Sequence, residues 1–328
     1  MPDASIAARM KTFVEALQAR LCRALEEEDG EATFRRDDWT RKDGGGGTTA
    51  VIAGGDLFEK GGVNTSAVHG ELPERMTEAL DLDEERAIGE EGGRFFATGL
   101  SLVLHPRSPY VPTVHANVRY FALGDDRRDP DDEWFGGGAD LTPYYPFLED
   151  AQHFHRTWKA VCDRHPRVAD YADFKQACDD YFYLPHREEA RGVGGLFYDH
   201  LRGDPEAALA FSKDTGEHLL EAYLPIVKRR RDRSWGERER AFQKRRRGRY
   251  VEFNLVYDRG TKFGLETGGR TESILMSLPP QVAWAYDASP EAGTPEAQAQ
   301  WFFQPRDWLA LAENEELSED DAEHASRT

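Results

Sequence analysis

The sequence has few cysteines and no long apolar run. Both features restrict the cellular compartments in which the protein is expected. Its 328 residues include only Cys22, Cys162 and Cys178, which form no CxxC pair and cannot all pair with one another. We therefore expect a reducing compartment. No stretch reaches the ~18 apolar residues that a membrane span requires, and the first residues lack the basic and apolar regions of a secretion signal. These features predict a soluble, cytoplasmic protein.

The chain has fewer basic than acidic residues: 42 basic and 61 acidic residues give a net charge of −19. Acidic clusters such as "DDRRDPDDEW" and "ENEELSEDDAEH" fall where loops and a tail are expected. A surface of this sign disfavours nonspecific binding to nucleic acid. It is either an ordinary solvated surface or an adaptation to a saline cytoplasm, in which salt screens the self-repulsion.

Nucleotide-binding motifs are missing too. The glycine-rich stretch 43–70 has neither a Gly-Lys-Ser/Thr ending nor a βαβ setting, and no dinucleotide fingerprint is present. Residues 227–250 are strongly basic, but Glu237, Glu239 and Phe242 interrupt them. We interpret this segment as a helix that supplies a positive field to an anionic small molecule, with a plain solvated helix as the alternative.

The pattern of apolar residues predicts blocks of helices and blocks of strands. An amphipathic helix is expected at residues 4–28, and further helices at 148–163, 168–183, 205–212 and 215–230. Strands are expected within 43–70, at 95–105 and 113–122, and in "RYVEFNLVYDRG" (249–260) and "TESILMSLPP" (271–280). The segment "WFGGGADLTPYYP" (134–146) is expected to be a turn with close backbone approach. Such blocks, without regular alternation, predict an α+β fold with a largely antiparallel sheet in a single domain.

Two of the predicted strands carry an unusual polar face. Side chains alternate along a strand, so His115, Asn117 and Arg119 in "VHANVRYF" share one face. Ser101 and His105 in "SLVLH" share a face in the same way. If the connector between them turns the chain back, all five converge on one patch. An exposed sheet face would favour Thr, Lys and Glu, so we interpret this patch as the floor of a binding site.

The same alternation recurs downstream. As a strand, "YVEFNLVYDRG" places Glu252, Asn254 and Asp258 on one face and its apolar residues on the other. This arrangement predicts a second polar strand that contributes a carboxylate to the same site.

Further candidates lie between these segments and after them. Gly268 and Gly269 precede Arg270, an order in which backbone and guanidinium can meet an anion together. His155 and His186 are candidates to join the strand histidines. Four histidines can also form a metal site, although their wide spacings match no short metal-binding signature.

Several segments closely resemble signature segments of the oxygen-dependent coproporphyrinogen-III oxidase family, which catalyses a step of haem biosynthesis. The resemblance extends from about residue 10 to residue 305. It is carried by "LFEKGGVNTSAVHG", "GLSLVLHPRSPYVPTVHANVRYF", "WFGGGADLTPYYPFLEDA", "DYFYLPHREEARGVGGLFYD" and "GRYVEFNLVYDRGTKFGLETGGRTESILMSLPP".

The resemblance implies a large antiparallel sheet flanked by helices on both faces, in a homodimer paired through residues 250–285. It implies a single catalytic domain over residues 1–312, and we expect the acidic residues 313–328 to be a disordered tail. The implied reaction is oxidative decarboxylation of two propionates of coproporphyrinogen III to vinyl groups, which gives protoporphyrinogen IX. Molecular oxygen is the implied oxidant, and neither a flavin nor a nicotinamide is expected.

The resemblance also implies roles by position. It places a proton donor at His115. Contacts to the substrate are implied for Ser101, Asn117, Val118, Arg119, Gly268, Gly269 and Arg270. In bacterial members a divalent metal cation is assigned to positions that match His105, His115, His155 and His186, whereas other members work without one.

The implied chemistry agrees with elementary considerations. A porphyrinogen is electron-rich and reacts readily with O2, so the protein must mainly orient it and transfer protons. A carboxylate near the pyrrole N–H groups would stabilise positive charge that develops on the ring. Asp258 and Asp140 are the candidates, and we favour Asp258. The competing hypotheses are a mononuclear metalloenzyme that uses the four histidines and a non-catalytic module that binds anionic tetrapyrroles.

Overall fold

The computed structural model describes residues 5–72, 93–124, 132–266 and 269–311. Its strands are β1 (Arg35–Thr40), β2 (Gly45–Ala53), β3 (Phe58–Glu71), β4 (Arg94–Pro106), β5 (Thr113–Leu123), β6 (Asp132–Thr142), β7 (Tyr183–Leu184), β8 (Glu189–Ala190) and β9 (Gly194–Leu201). Its helices are α1 (Ile6–Asp29), α2 (Leu148–Asp163), α3 (Tyr171–Tyr181), α4 (Pro205–Glu217), α5 (Leu219–Arg230), α6 (Glu237–Val256), α7 (Arg259–Glu266), α8 (Thr271–Leu275) and α9 (Pro295–Gln300).

Seven of the strands form one antiparallel sheet in the order β1-β2-β3-β4-β5-β6-β9. Each of the first six strands pairs with the next one along the chain, and β9 joins the edge beside β6 after the chain has passed through α2 and α3. The short strands β7 and β8 pair with each other. The predicted α+β fold with a mainly antiparallel sheet is confirmed.

One face of the sheet forms the main hydrophobic core. Leu102 and Leu104 of β4 and Val114 of β5 point into it and are fully or almost fully buried. Helix α1 packs on this face through β3, β4 and β5, and α4 packs on β5 and β6. Helix α1 ends at Gly30, whose left-handed backbone (φ 81°) lets the last turn close. The predicted helix at residues 4–28 is confirmed.

The opposite face is covered in part by the chain from α6 to the segment that follows α8. The Lys60 ammonium donates to the carbonyl of Leu278 at 2.8 Å. The Asn64 amide donates to the carbonyl of Ser273 at 3.0 Å. Helices therefore lie on both faces of the sheet, as predicted. Within the described segments, no helix is long and apolar enough to cross a lipid bilayer.

The strands predicted at 249–260 and 271–280 are wrong, because these residues form the end of α6 and the short helix α8. In α6 the buried residues Phe242, Arg246, Tyr250 and Phe253 follow one another at steps of four, four and three. That spacing places them on one side of a helix. Leu255 fits the alternation of a strand equally well, yet its side chain is exposed. The predicted common face of Glu252, Asn254 and Asp258 is therefore wrong as well.

The turn predicted at 134–146 is also wrong, since residues 132–142 form the interior strand β6. The glycines do not break this strand, because pairing with β5 on one side and β9 on the other fixes its backbone. Phe135, Ala139 and Leu141 point into the main core. The predicted close approach of the backbone is present, and it occurs between neighbouring strands of the sheet.

The basic segment 227–250 forms the end of α5 and most of α6, and most of its arginines are held in ion pairs within the chain. Arg230 pairs with Asp150 through its Nε at 2.6 Å. Arg247 is fully buried and pairs with Glu59 at 2.8 Å, and Arg246 pairs with Glu189 at 2.9 Å. These charges stabilise the packing of α5 and α6, so they do not support the interpretation of a free positive field.

Candidate active site

A polar row crosses the face of the sheet opposite the main core. The residues of this row are direct cross-strand partners from β1 to β6, and all of them point to the same side. They are Asp37, Thr49, Asn64, Ser101, Asn117 and Gly138. His115 and Arg119 lie two residues to either side of Asn117 on β5. We call this side of the sheet the polar face. Ser101, His115, Asn117 and Arg119 share it as predicted. His105, the fifth member of the predicted patch, lies on the same side of β4 as Ser101 but is fully buried against the carbonyl of Ser277.

His115 is paired with a buried carboxylate. Its Nδ1 lies 2.8 Å from Oδ1 of Asp140, its direct neighbour on β6. Nη2 of Arg191 donates to both oxygens of the same carboxylate, at 2.8 Å each. Arg191 reaches it from the loop between β8 and β9, where Nη1 also donates to Oδ1 of Asn254 at 2.8 Å. The three side chains form a chain of contacts from His115 to α6.

This arrangement fixes the chemical state of the pair. Burial raises the pKa of Asp140, but the charge of Arg191 and the hydrogen bond from His115 outweigh that effect and leave the pKa below its ordinary value. An ionised Asp140 only accepts hydrogen bonds, so Nδ1 of His115 carries a proton and the tautomer is set. The His115 side chain is 20% exposed, and its Nε2 makes no hydrogen bond to the described residues. With the proton on Nδ1, Nε2 of His115 has a free lone pair, so it can accept a proton from a bound molecule and return it once the ring is protonated.

Arg119 is held in an extended position on the polar face. Its Nη1 donates to Oδ1 of Asn117 at 2.7 Å, and its Nη2 lies 3.0 Å from Oδ1 of Asp199 on β9. A Cβ at Gly136, the cross-strand partner of Arg119, would lie 2.6 Å from Nε of Arg119. Glycine at this position leaves the guanidinium room to lie across β6. The guanidinium has five N–H donors, so three remain for a ligand.

Asp258 lies just after α6 and not on a strand. Its Oδ1 accepts from the hydroxyl of Tyr181 at 2.8 Å, and its Oδ2 accepts from the backbone and hydroxyl of Thr261 at 2.8 and 2.7 Å. Burial raises its pKa, but these hydrogen bonds and the nearby His115 lower it below the ordinary value. Asp258 is therefore an ionised carboxylate close to His115. It is partly exposed, whereas Asp140 is buried.

Arg270 lies at the far end of the polar face, just before α8. It pairs with Asp37 of β1, and its Nη1 donates to the hydroxyl of Ser273 at 3.3 Å. That hydroxyl is 2.7 Å from the hydroxyl of Thr49 in the polar row. Arg270 and Arg119 thus bring positive charge to two separate parts of the same face.

Two of the predicted positions are placed less favourably, and a third lies outside the described residues. The side chain of Val118 is buried in the main core, because it alternates with Asn117 and Arg119, so it cannot line the polar face. The backbone N–H of Gly269 already donates to the carbonyl of Gly264 at 2.7 Å. Gly268 lies outside the described residues.

The structure does not bring the four candidate metal ligands together. The described segments contain no group of three or more His, Cys, Asp or Glu residues that could hold a metal ion. His155 lies on the buried side of α2, where it contacts the hydroxyl of Tyr171 at 2.7 Å and the carbonyl of Val193 at 2.9 Å. His186 contacts Glu252 at 2.7 Å and Tyr257 at 2.9 Å on the surface.

His105 shows why these histidines do not fit a resident cation. Its Nε2 lies 2.8 Å from the carbonyl of Ser277, which only accepts, so this nitrogen carries the proton. Its Nδ1 is 3.1 Å from the hydroxyl of Thr113, which occupies the remaining lone pair. A metal needs a free lone pair on neutral imidazole, and the same reasoning applies to His155. Burial also lowers the pKa of both rings, to about 4 for His155.

Sequence reasoning missed two residues that shape the site. Arg191 supports Asp140 from the loop before β9, and Asp199 pairs with Arg119. The signal for Arg191 was available in "EARGVGG", where a lone arginine among small residues is out of place on a surface loop. Asp199 gave no such signal. Asn254 was singled out as part of a polar strand, whereas it contacts Arg191 from α6.

Comparison of the chain with protein families gives a match. The model of the coproporphyrinogen III oxidase family matches residues 9–308 of the chain. The chain belongs to the coproporphyrinogen III oxidase family. Its members carry out oxidative decarboxylation of coproporphyrinogen III in haem biosynthesis, and a tetrapyrrole substrate fits the family.

Proposed function

We propose that the protein converts coproporphyrinogen III into protoporphyrinogen IX with molecular oxygen as the oxidant. The observation that carries this proposal is the oriented, partly exposed His115 in the middle of the polar face, four residues from the guanidinium of Arg119 on the same side of β5. A proton-transfer group beside an anion donor is what decarboxylation of an anchored propionate requires. The family match supports the substrate and the type of reaction.

The polar face supplies the contacts that a tetrapyrrole with four propionates needs. Arg119 and Arg270 can each grip a carboxylate with two parallel N–H donors, a geometry that lysine cannot offer. Ser101 and Asn117 are direct cross-strand partners between them and can donate to or accept from the substrate.

Each decarboxylation must balance in atoms and electrons. One propionic acid side chain and one O2 give a vinyl group, CO2 and H2O2. The bond between the α-carbon and the carboxylate carbon breaks, and its two electrons form the new double bond. The β-carbon loses a hydrogen to the oxidant. Two such steps convert one substrate molecule and consume two O2. His115 transfers the proton that this exchange requires, and Asp140 holds it in position.

Asp258 is our candidate for the carboxylate that stabilises positive charge on the ring. Asp140 shares its charge with Arg191 at 2.8 Å and is buried behind His115, so it acts on the histidine. The partners of Asp258 are hydroxyl and backbone N–H groups, which leave its negative charge uncompensated by any direct ion pair in the described residues. An uncompensated carboxylate beside His115 is the better electrostatic partner for a cationic pyrrole intermediate.

No resident flavin, nicotinamide or metal enters this proposal. The electron-rich ring supplies both electrons directly to O2, and the histidines do not fit a cation. All three cysteines are free and buried, which agrees with a reducing compartment, and we place the reaction in the cytoplasm.

We further propose a homodimer that pairs through residues 250–285. Several large apolar side chains of this region are exposed in the single chain. They are Leu255, Val256, Leu265 and Trp284, with exposed fractions of 46%, 52%, 42% and 55%. Burial of such residues against a second copy would remove apolar surface from water.

Product stoichiometry tests the proposed function. Purified protein incubated in air with coproporphyrinogen III should release two CO2 and two H2O2 per ring and leave two vinyl groups. Binding of the tetrapyrrole without release of CO2 would identify a binding module instead. A product without loss of carboxylate would exclude decarboxylation.

A further inference from the structure

Asp199 on β9 contacts two arginines of the polar face at once. Its Oδ1 is 3.0 Å from Nη2 of Arg119, and its Oδ2 is 3.7 Å from Nη2 of Arg259 at the start of α7. Both guanidinium groups also lie over the ring of Phe197, at 5.9 and 5.8 Å from its centroid. One carboxylate thus joins an arginine of the sheet to an arginine of the helical layer that covers it.

The backbone of β9 is shaped to place Asp199 there. The register between β6 and β9 shifts between Phe135 and Gly137, and His200 adopts a left-handed backbone with φ of 49°. A non-glycine residue in this region carries conformational strain, and bulges of this kind redirect a side chain. The backbone N–H of His200 donates to Oδ1 of Asp199 at 3.0 Å and so fixes the carboxylate.

We infer that Asp199 is a positioning residue for the substrate's carboxylates: it holds Arg119 and Arg259 side by side so that their remaining N–H donors bind a propionate together. This inference rests on the proposed function and adds Arg259 to the anion-binding group. Without Asp199 the two like charges repel each other, and neither guanidinium keeps its orientation. The carboxylate itself is only 22% exposed, and both of its oxygens face arginines.

Removal of Asp199 should change KM in opposite directions depending on whether it positions the arginines or only repels the substrate. Burial raises the pKa of Asp199, but the charge of Arg119 outweighs it, so the carboxylate is ionised in the folded protein. A negative charge near an anionic substrate weakens binding if it has no other role. Its removal would then lower KM. If Asp199 positions the arginines, its removal raises KM.

A graded set of variants separates the two cases. Asp199→Ala removes both acceptors, whereas Asp199→Asn keeps one acceptor and loses the charge. We expect KM for coproporphyrinogen III to rise about tenfold or more in Asp199→Ala and less in Asp199→Asn. An unchanged or lower KM in both variants would overturn the inference.

Asp214 provides the matched control. It is 18% exposed and pairs with Arg164 at 2.9 Å, away from the polar face. Asp214→Ala should therefore cost comparable thermal stability and leave KM unchanged. If Asp214→Ala raises KM as much as Asp199→Ala does, the effect is general destabilisation and the inference is wrong.

A double-mutant cycle with Arg119 completes the test. Because Asp199 acts through the arginines, Asp199→Ala should add no further loss of kcat/KM in the background of Arg119→Ala. Losses that multiply would show that Asp199 acts independently and would overturn the inference. Failure of the proposed function looks different, since the unmodified protein would then convert no coproporphyrinogen III in air.

Discussion

Nδ1 of His115 lies 2.8 Å from a carboxylate oxygen of Asp140, and Arg191 donates to that same carboxylate. Asp140 is buried and His115 is partly exposed, so the pair directs one ring nitrogen inward and leaves the other for a ligand. The polar face therefore contains a histidine whose orientation and tautomer are fixed before substrate arrives. Such preorganisation is characteristic of proton-transfer groups in enzymes.

Replacement of His115 tests its proposed role directly. His115→Ala should lower kcat by about 10²- to 10⁴-fold, the usual contribution of a general acid or base. His165 offers a matched control, because it is 19% exposed and pairs with Asp214 at 2.9 Å away from the polar face. His165→Ala should keep the activity of the unmodified protein. Near-normal turnover in His115→Ala would exclude proton transfer by this residue.

The two arginines of the polar face are expected to need their planar shape as well as their charge. A hydrogen bond to a charged group contributes roughly 1.5–3 kcal/mol, so loss of one should reduce kcat/KM by about ten- to a hundredfold. We expect this loss in Arg119→Lys and in Arg270→Lys, measured by steady-state kinetics at matched salt. Arg164→Lys, at a guanidinium paired with Asp214, is the control. Activity equal to that of the unmodified protein in either variant would exclude bidentate anchoring at that position.

The burial of His155 predicts how the free energy of unfolding depends on pH. Burial lowers its pKa from 6.5 to about 4, so between these values the unfolded chain binds a proton that the folded protein cannot. Stability should therefore fall as pH decreases from about 6.5 towards 4, by up to about 1.4 kcal/mol per pH unit. His155→Gln should flatten this slope in urea unfolding at pH 7, 6 and 5. The prediction fails if His155→Gln and the control His153→Gln, on the same helix, both keep the full slope.

The proposed dimer is tested by a charge placed in the exposed apolar region. The unmodified protein should scatter light as a dimer at micromolar concentration. Val256→Glu should convert it to a monomer, because a carboxylate in an apolar interface loses its hydration. Trp235, which is 39% exposed and lies outside residues 250–285, is the site of the control Trp235→Glu. A fully active monomer of the unmodified protein would exclude the dimer.

The polar face was predictable because it depends on the alternation of side chains within two strands. His115, Asn117 and Arg119 follow one another at steps of two, and no other regular structure places them together. Helix α6 was not predictable by the same rule, since Val251, Phe253 and Leu255 also alternate. Only the burial of residues three and four positions apart reveals the helix, and burial depends on the rest of the fold.

The contacts of the supporting residues could not be predicted, for a different reason. Arg191 is 51 positions from Asp140 in the chain, and Asn254 is 63 positions from Arg191. Asp199 faces Arg119 only because β9 carries a bulge, which alternation alone does not predict. The shared metal was implied for the four histidines by the family resemblance and not by their spacing, and the fold places His155 in the core and His186 on the surface.

Oxygen dependence of the metal-stripped protein distinguishes direct oxidation by O2 from a reaction that needs a metal. The protein is treated with a chelator, desalted and incubated with coproporphyrinogen III in air and under argon, and vinyl groups are counted by mass spectrometry. We expect two vinyl groups per ring in air and none under argon, with the same rate before and after chelation. Equal conversion under argon would exclude O2 as the oxidant, and loss of activity on chelation that added metal restores would exclude a metal-independent reaction.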